Sequence, residues 1–95
     1  MPLRYNDGRP IEGTKLQQLQ SELLGQFGGL TYFPQANHGY WKLGDVVYRD
    51  EIVIYRVIAS RSRESRSFLR ELKERLKADL NQEEILVVER DVDTL

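Results

Sequence analysis

A chain of 95 residues with 40% hydrophobic and 31% charged content has room for one modest core and no second. Its formal net charge of -1 creates no overall field toward nucleic acid or membrane. The absence of cysteine excludes disulfides, thiolate nucleophiles and cysteine-based zinc sites. No apolar run nears the roughly 20 residues of a membrane helix. The opening residues lack the apolar stretch of a signal peptide. The expectation is a single cytoplasmic α+β domain over residues 1–95.

Leu3-Arg4-Tyr5 is a short strand candidate, closed by the turn signal Asn6-Asp7-Gly8. Thr14 and Gln17 have capping-box spacing, so a first helix is predicted from Thr14. Leu16, Leu19, Leu23, Leu24 and Phe27 form its apolar stripe, and Gly28-Gly29 ends it. Leu30-Thr31-Tyr32-Phe33 reads as strand, with Pro34 placing it at an edge or a bulge. After a loop or wide bulge at 35–39, extended structure resumes at Tyr40-Trp41-Lys42-Leu43 and turns at Gly44-Asp45. The return strand runs from near Val46 to Ile58. Its Ile52, Ile54 and Ile58 point one way and Val53, Tyr55 and Val57 the other. Arg56, on the isoleucine side, marks that side as open or as met by an acidic partner.

Ser60 or Ser62 caps a second helix whose stripe is Phe68, Leu69, Leu72, Leu76 and Leu80, with Asn81 as its C-cap. Ile85-Leu86-Val87-Val88 reads as the last strand. The predicted fold is ferredoxin-like: βαββαβ, a four-stranded antiparallel sheet around a long central hairpin, both helices on one face. The other face is then left as an apolar interaction surface.

Phe27-Gly28-Gly29-Leu30-Thr31, Gly39-Tyr40-Trp41, Arg49-Asp50-Glu51 and Gln82-Glu83 together resemble a family of small ferredoxin-like α+β proteins. That family has a Gly-Leu-Thr strand, a Gly-x-Trp element, an acidic start to the next strand and a late Gln-Glu. The resemblance implies the fold and carries no activity with it.

Two constellations hold the chemistry. The first comprises His38, Tyr40, Trp41, Arg49, Asp50 and Glu51, on opposite arms of one hairpin. They supply an aromatic platform, an imidazole, a forked cation and two carboxylates, suited to a small polar ligand. His38 is the candidate proton shuttle, oriented by Asp50 or Glu51. The second is the stripe Arg63, Arg66, Arg70, Lys73 and Lys77, spaced 3, 4, 3 and 4 along helix two. It could contact phosphates. Its neighbour Glu74 offsets part of that charge, and Glu83 is placed to reach it or Arg90. A solvated flank is the plainer reading, and the sheet lacks the aromatic run of an RNA-binding surface. One histidine and scattered acids do not make metal-ligand spacing, and nothing in the sequence calls for a cofactor.

Three functions follow as expectations. The first is a self-associating protein, dimeric in the simplest case, that binds a partner or small ligand. The second is an enzyme with its site at the hairpin base. The third, against which the charge balance speaks, is a nucleic-acid binder through helix two.

Overall fold

The computed structural model describes residues 1–82 and 84–93, without the side chain of Ala36. The elements run α1 (Gly13–Phe27), β1 (Thr31–Leu43), β2 (Val46–Arg56) and α2 (Arg63–Asp79). Strands β1 and β2 form one antiparallel hairpin. Its turn is Gly44-Asp45, with Gly44 at φ 61° in the position where a II′ hairpin turn requires glycine. The register holds from Leu43↔Val46 to Asn37↔Ile52, then slips before Phe33↔Ile54. The slip leaves Pro34, Gln35 and Ala36 opposite Val53 as a bulge. A proline with no N–H to donate is tolerated at such an interruption.

Alternation along β2 sorts the sheet into two faces. Val53 is 1% exposed, and Tyr55 and Val57 pack on the core cluster of Leu19, Leu23 and Leu72, with Phe27, Phe68 and Leu76 around it. Both helices therefore lie on this inner face. Phe27 and Phe68 meet edge to face at 5.6 Å, and Arg75 of α2 pairs with Glu22 of α1. The isoleucine side is left open, with Ile54 at 43% and Ile58 at 62% exposure. Arg56, on that side, lies over the Phe33 ring at 5.1 Å.

The helix ends follow local chemistry. Gly28, at φ 75°, closes α1 by donating its N–H to the Leu24 carbonyl at 2.8 Å. Ser62 caps α2, its Oγ accepting from the Ser65 N–H at 3.1 Å. Thr14 does not cap α1. The helix begins one residue earlier, after Glu12, whose carboxylate is taken up by the Tyr5 hydroxyl and Lys15. Leu80 is the C-cap of α2, and Asn81 follows it at φ 50°.

The four-stranded βαββαβ arrangement does not form. Residues 1–3 do lie against β2. The bridge Pro2↔Ile52 is flanked by Leu3 N–H to Glu51 C=O at 3.0 Å and Val53 N–H to Met1 C=O at 2.9 Å. At that level the layer is three segments wide, in the order N-terminal segment, β2, β1. The N-terminal segment then leaves the layer, because the chain bends at Leu3 and folds back on itself. Gly8, at φ 88°, reverses it, and Arg4↔Pro10 closes a miniature hairpin through Tyr5 N–H to Arg9 C=O and Ile11 N–H to Leu3 C=O. The N-terminal segment is thus a single bridge long against β2, with Pro2 lacking an N–H on its far side, and residues 85–88 belong to no sheet. Ile85 is buried at 5%, while Leu86 and Val88 are 79% and 77% exposed. Glu84–Lys73, Glu89–Arg66 and Asp91–Arg61 lead this tail back along α2. Among the described residues, no helix is long and apolar enough to cross a membrane.

Candidate functional site

The hairpin arm beyond the body, residues 40–50, is exposed throughout. Strand register divides the six predicted site residues between its two faces. His38, Tyr40, Arg49 and Glu51 share the inner side with Val53. Trp41 and Asp50 share the outer side with Ile52 and Ile54. A single convergent cluster of all six is therefore not formed.

On the inner side, Arg49 Nε donates to His38 Nδ1 at 2.9 Å. Glu51, opposite His38 in the register, instead lies 3.5 Å from Arg4. Among the described residues no hydrogen bond joins His38 to Asp50 or Glu51, so the imidazole–carboxylate pair that would orient a proton shuttle is not assembled. Two hollows in the body take in none of these residues. One is lined by Met1, Lys15, Leu19, Glu22, Arg75 and Leu80, the other by Phe27, Ile58, Ser60, Ser62 and Ser65. Among the described residues no group of three His, Asp or Glu side chains is placed to hold a metal ion.

On the outer side, Trp41 and Tyr48 are cross-strand partners stacked at 4.4 Å between ring centroids. Trp41 Nε1 donates to Asp50 Oδ2 at 2.9 Å, holding the indole flat along the sheet. Leu43 and Val46 continue this face to the tip, and Phe33, Ile52 and Ile54 continue it to the base. Trp41, Tyr48, Leu43, Val46 and Ile54 are 48%, 41%, 65%, 53% and 43% exposed.

Nearer the body, the inner face is tied down. Tyr55 stacks on Tyr32 at 5.1 Å and accepts a hydrogen bond from Gln20 of α1. Burial pushes the Tyr55 hydroxyl above its ordinary range, against the lowering effect of the Gln20 bond.

The basic stripe of α2 is partly spent on the tail. Lys73 holds Glu84 at 2.9 Å, Arg66 lies 3.5 Å from Glu89, and Lys77 lies 3.7 Å from Glu74. The Lys73 ammonium, helped by the Ile85 N–H, lowers the Glu84 carboxyl below its usual range. Among the described residues, no ion pair engages Arg63 or Arg70. Glu83, expected to reach this flank, lies outside the described residues. Sequence reasoning missed Glu84 and Glu89 as partners of this stripe, and Asp91 as the partner of Arg61 just before α2. The signal was their sign, but the segment carrying them reads as a strand.

No family model matches the chain, and neither does any curated protein or solved structure. The resemblance seen in the sequence rests on its short motifs alone.

Proposed function

We propose that this protein is a self-associating binding module whose working surface is the outer face of the β1–β2 hairpin. The observation behind this reading is the unequal treatment of the two faces. Where the hairpin meets the body, the core closes the inner face at Tyr55 and Val57 while Ile54 on the outer face stays in solvent; along the arm both faces are open, the outer one presenting Trp41, Leu43, Val46 and Tyr48 and the inner one Tyr40 and Val47. From those exposures the outer arm side chains and Ile54 present an apolar patch on the order of 400 Å², the size of the largest patches on small proteins, which are often functional. Removing it from water in a dimer offsets the modest core that 95 residues can build. The inner side of the arm, with His38, Tyr40 and Arg49, is the part left to a small polar ligand or a second partner. Sedimentation equilibrium at micromolar concentration tests the reading. A dimer is expected, and a clean monomer there refutes it.

A further inference from the structure

We infer that the occupant of the outer face is a second copy of this chain, stacked face to face and antiparallel about a two-fold axis level with Val53. This deepens the self-association reading and rests on it. The outer positions of β2 read Val46, Tyr48, Asp50, Ile52, Ile54 and Arg56. The part from Asp50 to Arg56 is self-complementary when the strand is reversed on itself, and Tyr48 and Val46 then fall level with Ile58 and Ser60, past the end of β2. With Val53 as the centre, Ile52 falls opposite Ile54 of the other copy, and Asp50 falls opposite Arg56. Each contact occurs twice, as a two-fold interface demands.

Both charged side chains are held on that face. Asp50 accepts from Trp41 Nε1, and Arg56 lies over the Phe33 ring. They are six residues apart, about 20 Å along an extended strand, so they bracket the isoleucine pair. An apolar centre flanked by opposite charges is the arrangement that fixes register and rejects the alternatives. Reversing the copy in parallel, or sliding it by one outer position, removes both charge contacts. On the neighbouring strand the bulge at 34–36 lies level with the axis, so the register match is carried by β2. An axis lying between the sheets and perpendicular to the strands sets β1 over β1. Asn37, paired with Ile52, then faces Phe33 of the other copy, and Gly39, paired with Asp50, faces Thr31. The absent side chain at Gly39 leaves room beside the ion pair.

The test is charge reversal followed by mixing. Asp50→Arg places Arg opposite Arg56 twice in its own dimer, and Arg56→Asp places Asp opposite Asp50 twice. Each variant alone is expected to dimerise at least tenfold more weakly than the unaltered chain by sedimentation equilibrium. An equimolar mixture of the two is expected to recover a heterodimer of near wild-type affinity, because both cross pairs become Arg with Asp. A chain that is monomeric without any substitution overturns the self-association reading and this geometry together. A wild-type dimer whose affinity is unmoved by either reversal, or reversals that fold and dissociate yet do not recover on mixing, overturns the geometry alone. Should a reversal lose its circular dichroism, the cysteine-free chain allows a second measurement. A spin label on Asn37→Cys must report a short distance between copies, set by the roughly 10 Å spacing of stacked sheets. A label on Arg63→Cys, on α2 behind the inner face, must report a much longer one. The reverse order excludes face-to-face stacking.

Discussion

Val53 and Val46 sit on the same strand, have the same side chain and face opposite ways. Replacing each by threonine keeps shape and β-branching and adds only a hydroxyl. At Val53, 1% exposed, that hydroxyl loses water on folding. The penalty for such a group is about 2 kcal/mol. In a domain of this size that lowers the Tm by roughly 8–15 °C. At Val46, 53% exposed, the hydroxyl stays wet, and the change should fall within about 0.5 kcal/mol. Urea denaturation followed by far-ultraviolet circular dichroism measures both. The protein is held dilute, so that loss of a dimer contact at Val46 is not counted. The two variants should share the wild-type m-value and differ in midpoint. A neutral Val53→Thr would refute the burial of the inner face at the body, on which the reading of the open face depends.

Trp41 is the only tryptophan, so its fluorescence reports the outer face directly. Emission should shift to shorter wavelength and resist acrylamide quenching as concentration rises, and a concentration-independent spectrum would count against burial there. Tyr55→Phe removes the hydroxyl bonded to Gln20 and should cost about 1 kcal/mol at neutral pH. Burial raises the Tyr55 pKa on folding. The associated stability is full below the ordinary tyrosine pKa and is lost as pH rises through the folded-state value. The phenylalanine variant should show a shallower alkaline loss in pH-dependent melting. Ser62→Ala deletes the cap of α2 and should lower stability by about 1 kcal/mol, with earlier hydrogen exchange in the first turn of that helix. Lys73→Gln should let the Glu84 carboxyl titrate nearer its ordinary range in carbon-detected NMR, because the ammonium at 2.9 Å is the largest cause of its lowering.

Both helices, the hairpin, its glycine turn, the bulge at Pro34 and the Ser62 cap were legible in the chain, because each is dictated by residues within a few positions of one another. The sorting of β2 side chains into two sets was legible too, since strand alternation has a period of two, but both sets are largely apolar and the chain left open which of them is covered. The sheet's width was not. Ile85–Val88 has the composition of a strand, but a strand exists only where an edge accepts it. The N-terminal segment offers almost none: it bridges β2 at Pro2, which has no N–H, and bends away at Leu3 into a tight turn that no apolar period announces. The candidate site divided for a related reason. His38, Tyr40 and Arg49 went to one face and Trp41 and Asp50 to the other, because the two arms pair in one particular register. Local pattern determined which segments are helical or extended and which way each side chain alternates. Long-range pairing alone decided which edges were available, which charges met, and which apolar face was left uncovered.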